Sequence, residues 1–432
     1  MIKETDKTQT PLVDFGEPVD MSKNIIKVVG VGGGGCNAVN NMYRSRINNV
    51  TFAVCNTDSQ SLANSPVPVK LLLGSAGLGA GANPEIGRKE AEENLEGIKK
   101  LFNDGTRMVF VTAGMGGGTG TGAAPVVAGV AKSLGLLTVG IVTIPFYFEK
   151  KMKIVKALKG VEEMRKNVDA LLVINNERLC DIYADGMTTV EQAFSKADDI
   201  LTVAAKSISE IITTEGIVNR DFCDVQTVMK DGGDAIMSVG RASGEHRIEK
   251  AFVEALNSPL LNNMEIERAR RLLYIIYTCD ESQVTMSELS EINCFMDDLA
   301  PNIEVLWGLY RDNSLGEDVK VTLIATDFEK GEKTENSPQK EDKDRQLKDA
   351  LYAAYYGDRI HRKNKSEVKE EAVVQEDVEE SPLTKDAQEP ETSVEMPEVV
   401  QEERVESPAL SGNTKKSFVQ KFLDKLDRLM EE

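Results

Sequence analysis

Apolar runs recur at intervals through the first part of the chain: IIKVVGV (25 to 31), VTFAVCN (50 to 56), RMVFVT (107 to 112), LLTVGIVT (136 to 143) and DALLVI (169 to 174). Each is rich in β-branched residues and helical patterns separate them, which predicts an α/β fold with a doubly wound parallel sheet. From Ala123 to Phe148 the only charge is Lys132, a length that could span a membrane. Gly129, Gly135 and Pro145 divide it instead into a helix, PVVAGVAKSLG, and a strand buried on both faces, LLTVGIVTI. Next comes TTVEQAFSKADDILTVAAKSISEIITTEG (188 to 216), where Val190, Phe194, Ala197, Leu201, Ala204, Ile208 and Ile211 step by four and three. That spacing predicts one long central helix, opened by a capping box of Thr188 and Glu191 and stopped by Gly216. LLYIIYT (272 to 278) and VKVTLIAT (319 to 326) then read as strands of a second, smaller α/β domain.

The resulting division is a flexible N-terminal extension (1–22), a first α/β domain (23–187), the central helix (188–215) and a C-terminal α/β domain (216–327). A disordered acidic linker (328–412) and an amphipathic docking peptide (413–432) follow. Charge supports the linker: Asn364 to Leu410 holds 15 acidic and 4 basic residues, over half of a net charge of −20. Such a segment cannot bury enough apolar surface to offset its ordering entropy, although RQLKDALYAAYY (345 to 356) could form a transient helix. In the terminal KKSFVQKFLDKLDRLMEE, Phe418, Phe422, Leu426 and Leu429 recur at helical spacing. It reads as a docking helix for another protein, the alternative being a helix folded back on the core.

Composition excludes several chemistries. Cys36, Cys55, Cys180, Cys223, Cys279 and Cys294 form no Cys-x-x-Cys pair, and His246 and His361 are the only histidines, so zinc-ligand spacing is absent. The thiols read as reduced and mostly buried, in a cytosolic protein. With so few histidines, Ser-His-Asp or Cys-His catalysis is unsupported, and no basic surface signal points to nucleic acid. The N-terminus MIKETDKTQT has no apolar segment of the kind a signal peptide needs.

Two glycine-rich loops carry the chemistry. GVGGGGCN (Gly30 to Asn37) follows a strand, opens a helix and matches G-x-G-x-x-G, which alone fits a dinucleotide-binding fold with Asp58 as a ribose ligand. GMGGGTGTGAAP (Gly114 to Pro125) lets successive backbone N–H groups turn toward one point, with Pro125 in the first turn of the helix that follows. Loop and helix N-terminus together make a phosphate cradle that needs no lysine, and the hydroxyls of Thr119 and Thr121 can add donors. Neither loop has the Gly-Lys-Ser/Thr ending of a P-loop. A flexible linker would not sit between a buried strand and a buried helix.

GGGTGTG at Gly116 to Gly122 is the tubulin-type nucleotide signature. With GVGGGGCNAV, NTD (56 to 58), GLGAGANPEIGR (77 to 88), PFYFE and NRDFCDVQTVM, it makes Lys23 to Asp327 resemble the tubulin/FtsZ family of GTPases that act in bacterial cell division. The resemblance implies GTP as substrate, GDP as product, Mg2+ as the expected ion, and polymerisation into a division ring at mid-cell in the cytoplasm. It places Gly33, Gly34 and Gly35 with Gly118, Thr119 and Gly120 on the α- and β-phosphates, and Ala80, Gly81 and Ala82 facing the γ-phosphate. Thr143 and Glu149 fall at the ribose, with Lys153 where the family usually has arginine. Asn37, Asn176, Phe194 and Asp199 would form the base pocket.

Asp199 could accept both N1–H and N2–H2 of guanine, which adenine lacks. At about 100° per residue it sits about 140° around the helix from Phe194, whereas Asp198 is on nearly the same side. For hydrolysis, NRDFCD offers Asn219, Asp221 and Asp224; in the family this loop enters the next subunit's pocket, so head-to-tail assembly completes the site. The ordinary alternative for these residues is a helix cap. The metal ligands are unassigned. The terminal helix, which differs from the family's usual Pro-containing peptide, implies division proteins and a membrane-tethering adaptor as partners. A noncatalytic GTP-binding filament protein and an NAD-dependent oxidoreductase remain the alternative functions.

Overall fold

Burial of whole strands, rather than of alternate residues, organises the first half of the chain. The computed structural model describes residues 24–47, 49–178, 189–214, 216–218, 220–258, 266–292, 296, 299 and 302–328. The N-terminal extension, the linker, the segment 345 to 356, the docking peptide, Cys180, Cys294 and His361 lie outside the described residues. In chain order the first elements are β1 (Ile26–Val31), α1 (Gly32–Arg44), β2 (Val50–Asn56), α2 (Ser59–Ala63), β3 (Val69–Leu72), α3 (Pro84–Glu93), α4 (Leu95–Leu101), β4 (Met108–Gly114), α5 (Thr119–Ser133), β5 (Leu137–Ile144), α6 (Lys151–Asn167) and β6 (Ala170–Asn175). Then come α7 (Val190–Thr213), β7 (Gly216–Val218), α8 (Phe222–Met229), β8 (Gly233–Ala242), α9 (Arg247–Leu256), β9 (Ala269–Thr278), α10 (Met286–Ser290), β10 (Glu304–Arg311) and β11 (Val319–Phe328).

The first six strands run parallel in the order β3-β2-β1-β4-β5-β6, so the order reverses between β1 and β4. Doubly wound sheets open a crevice at such a reversal, beyond the carboxyl ends of the two strands. Every residue of β1 is buried, which explains why these strands read as unbroken apolar runs. The run from Ala123 to Phe148 resolves into α5 and β5, and among the described residues no helix is long and apolar enough to cross a membrane.

Beyond β6 the sheet continues. Ala170 to Leu172 of β6 pair in parallel with Gly233 to Ala235 of β8, and the order extends through β8-β11-β9-β10-β7. Here β11 is antiparallel to both β8 and β9, and β7 closes the edge antiparallel to β10. Strands β3, β7, β8 and β10 carry no strong sequence signal. Two are very short, while GDAIMSVGRA and EVLWGLYR interrupt their apolar residues with glycine and charge.

Two helix boundaries differ from expectation. The cap of α7 is Thr189, whose hydroxyl accepts from Gln192 N while the Gln192 side chain accepts from Thr189 N. TTVEQ satisfies the capping-box pattern in two registers, and the structure uses the later one. Gly216 does not stop the helix, which ends at Thr213; it opens β7. Pro125 lies in the second turn of α5, because Thr119 to Gly122 are themselves the first turn. At Gly122 an added Cβ would sit 1.9 Å from the Pro84 carbonyl oxygen, so α3 and α5 touch backbone to backbone. Gly122→Ala is therefore expected to cost about 1–3 kcal/mol of stability, read as a lower denaturant midpoint at unchanged slope.

Candidate functional site

At the reversal, β1 and β4 deliver the chain into α1 and α5 through glycine. Neither helix has a side-chain cap or an acidic residue in its first turn. The neighbouring α2 and α3 are capped, by Asp58 accepting from Gln60 N and Asn83 accepting from Glu85 N, both at 3.0 Å. Uncapped helix starts present N–H donors and partial positive charge, the combination that binds anions.

A cavity of about 380 Å³ opens there, and it gathers ten of the expected residues: Gly33, Gly34, Asn37, Gly118, Thr119, Gly120, Thr143, Glu149, Lys153 and Asn176. The glycines serve two purposes. A Cβ on Gly32, whose φ is +72°, would lie 2.6 Å from Gly120 N, and one on Gly35 would lie 2.3 Å from the Thr112 carbonyl oxygen. These positions let the loops and strands meet. At Gly33 and Gly117 a Cβ would find no protein atom within 4 Å, so these two face the cavity. Gly35 is thus a packing residue and not part of the lining. Thr121 is likewise internal: its hydroxyl accepts from Gly116 N at 2.8 Å, pinning the loop. Thr119 and Thr57 share a hydroxyl hydrogen bond of 2.6 Å.

The cavity is also lined by Asn176 and by Ala197, Asp198 and Leu201 of α7. Asn176 is 5% exposed and its Oδ1 has no hydrogen-bond partner, a buried acceptor that a ligand donor would satisfy. Asp198, not Asp199, lines the wall. Burial first and the charge of Asp199 second push its carboxyl up to about 7. Asp199 is exposed, accepts from Asn41 Nδ2 at 3.1 Å and is not among the residues lining the cavity. One residue on a helix is a turn of about 100°, and Ala197, Asp198 and Leu201 share the face that Asp199 leaves. That spacing was the available signal. The Phe194 side chain lies outside the described residues.

Glu149 accepts from Phe146 N at 3.0 Å and from Lys153 Nζ, so both of its oxygens already hold local structure. Ala80 packs against Gly118, where a Cβ would meet the Ala80 Cβ at 2.8 Å. Gly81 and Ala82 border a neighbouring cleft instead, and Lys156 Nζ donates to the Ala82 carbonyl at 3.1 Å. Ala82 has φ +58°, a left-handed conformation unusual for alanine. Asp221 and Asp224 do not line the cavity. Asp221 Oδ1 accepts from Asp224 N at 2.9 Å and Asp224 Oδ2 from Asp221 N at 3.2 Å, a reciprocal cap on α8. Asn219 lies outside the described residues. The described residues hold one group with metal-ligand spacing, His246, Glu249 and Glu291, and it is not part of the cavity. Of the cysteines, Cys36, Cys55 and Cys279 are buried free thiols and Cys223 is an exposed one; burial pushes Cys36 up to about 12.

Residues 25–184 match the Tubulin/FtsZ family GTPase domain, and residues 233–329 match the FtsZ family C-terminal domain. The chain is 54% identical over 320 residues to the cell division protein FtsZ of Porphyromonas gingivalis, covering 73% of this chain and 68% of that protein. The chain belongs to the tubulin/FtsZ family. It is 42% identical to FtsZ of Neisseria gonorrhoeae over 74% of this chain and 82% of that one. Among solved structures, an empty FtsZ dimer from M. jannaschii superposes with a TM-score of 0.64 at 37% identity, covering 73% of this chain and 95% of that chain. CetZ2 from Haloferax volcanii, at 18% identity and a TM-score of 0.60 over 76% of this chain and 99% of that chain, shares the fold.

The chain is accordingly a tubulin-like GTPase of cell division. The oxidoreductase and noncatalytic readings find no support, and Asp58 is occupied as a helix cap. For a FtsZ-family nucleotide cavity, the two classes of glycine should separate experimentally. Gly33→Ala should leave the melting temperature nearly unchanged and weaken GTP binding about tenfold or more, whereas Gly35→Ala should lower the melting temperature by several degrees. Equal effects on stability would refute the division.

Proposed function

We propose that the cavity holds GTP with its phosphates on the amides of α1 and α5 and its guanine against Asp198 and Asn176. One observation carries this reading: uncapped glycine-rich helix starts and a half-buried carboxylate line one and the same cavity. Backbone donors suit phosphate oxygens, and a carboxylate suits the paired N1–H and N2–H2 of guanine. Adenine would leave that carboxylate unpaired, a difference that can reach about 10⁴ in selectivity. The ribose then falls near Thr143 and Glu149. The strained segment ending at Ala82 is read as the reporter of the γ-phosphate, since local strain permits two arrangements.

Hydrolysis is assigned to a second copy of the chain. Within one subunit the acids of NRDFCD are held in the α8 cap, away from the cavity lining, so the attacking water would be oriented by Asp221, Asp224 and Asn219 of the next subunit. Head-to-tail contacts of this kind do not close and generate filaments. Among the described residues no carboxylate cluster lies at the phosphate loops, so Mg2+ would be held chiefly by phosphate oxygens and water. The terminal segment 413–432 is read as the peptide that docks division proteins and a membrane-tethering adaptor at a mid-cell ring.

Turnover per subunit should rise steeply above a threshold protein concentration. Asp221→Ala should bind GTP and assemble, seen by light scattering, yet release phosphate about tenfold or more slowly. Normal turnover in assembled Asp221→Ala would sink the shared site. Guanine recognition requires ionised Asp198, whose carboxyl is raised to about 7. GTP affinity should therefore be level above that pH and fall toward about tenfold per pH unit below it. Asp199→Asn removes the neighbouring negative charge and should move the break to lower pH, while Asp198→Asn should abolish it and favour xanthosine triphosphate relative to GTP.

A further inference from the structure

The segment that joins β7 to α8 is held more firmly than a helix cap requires. Arg220 N donates to the Tyr310 hydroxyl at 2.9 Å, and that hydroxyl donates to the Ile211 carbonyl near the end of α7, also at 2.9 Å. Tyr310 is fully buried. The Arg220 side chain returns to the same strand, with Nε donating to the Trp307 carbonyl at 2.6 Å. Its Nη1 lies 3.6 Å from Asp224 Oδ2, the oxygen that also accepts from Asp221 N. On the opposite side Phe222, 9% exposed, lies beneath the Arg107 guanidinium, 4.7 Å from its ring centre. The residues flanking Asp221 are thus anchored from two directions, by β10 and by the approach to β4.

Resting on the shared-site reading above, we infer that Arg220 is a positioning residue for hydrolysis, orienting Asp221 and Asp224 toward the neighbouring subunit's nucleotide. The reciprocal cap alone fixes the two acids relative to α8. It does not fix α8 relative to the rest of the subunit. An acid acting across an interface must be placed within a fraction of an ångström of a water it does not otherwise touch, and a 1 Å error can cost about a hundredfold in rate. Arg220 supplies that reference by bridging the backbone of β10 and the carboxylate of Asp224. Only a planar fork does both at once: Nε serves Trp307 while Nη1 faces Asp224. A lysine would keep the charge and lose the second contact.

The test uses the full-length chain, with phosphate release measured in assembled filaments at saturating GTP. Arg220→Ala is expected to lower kcat about tenfold or more, with KM and the GTP dissociation constant within about twofold of the unmodified protein. Arg220→Lys should recover only part of the loss. A purely structural arginine would instead move melting temperature and GTP affinity together with turnover, and that result overturns the inference. So does Arg220→Ala with kcat within about twofold of normal, or full recovery in Arg220→Lys, which would leave a charge effect without positioning. If Arg220→Ala does not fold, the kcat of Arg220→Lys decides on the same criterion. Asp221→Ala run alongside separates the two readings. Normal turnover there sinks the shared site itself, whereas a slow Asp221→Ala with a normal Arg220→Ala sinks only the positioning role.

Discussion

The site depends on a main-chain contact. The starts of α1 and α5 approach so closely that a single Cβ on Gly32 would collide with the amide of Gly120. Two helix N-termini can then act on one ligand, each adding unsatisfied donors and partial positive charge. This matters in a chain of net charge −20, which as a whole repels a polyanion. Exposed charges farther away than about 8–10 Å are, however, largely screened by physiological salt. Local amides at hydrogen-bond distance decide the encounter. Fixed dipoles also bind without any lysine having to be desolvated, consistent with the absence of a P-loop ending.

Much of this was legible in the sequence, for reasons that can be traced. β1, β2, β4, β5 and β6 are central or near-central parallel strands covered on both faces, so burial wrote continuous apolar runs. β8 and β10 answer to partners on either side that the local sequence does not reveal, and glycine and charged residues break their pattern. The glycine loops were legible as a class and not in detail. Sequence distinguishes neither Gly33, which faces the cavity, nor Gly35, which packs on Thr112, because both reasons demand the same residue. Which of Asp198 and Asp199 faces the cavity is a matter of a rotation of about 100°, and the periodicity of α7 contained it. The capping register of α7 did not, since TTVEQ fits two.

The acids of NRDFCD show how one residue can satisfy two readings. Asp221 and Asp224 cap α8 reciprocally, which is the ordinary role expected of Asp at a helix start. A carboxylate has about four lone-pair sites, and a cap uses one or two of them. Capping therefore immobilises these groups without exhausting them, and immobility is what a water-orienting group needs. The same logic applies to Glu149, whose bonds to Phe146 N and Lys153 fix it at the cavity wall.

The central helix sets the scale of the subunit. Asp198 lies near its start, and its Ile211 carbonyl, near its end, receives the Tyr310 hydroxyl that also accepts from Arg220 N. Thirteen residues of α-helix separate these points by about 20 Å. A helix buried along Leu201, Ala204, Ala205, Ile208 and Ile211 cannot shorten or bend cheaply, because each of those side chains sits in packed core. On the proposed reading, the group at the base end of one cavity and the acids offered to the next are thereby held at a constant spacing. A repeating polymer needs such a ruler, since any slack within the subunit would reappear as misalignment at every interface.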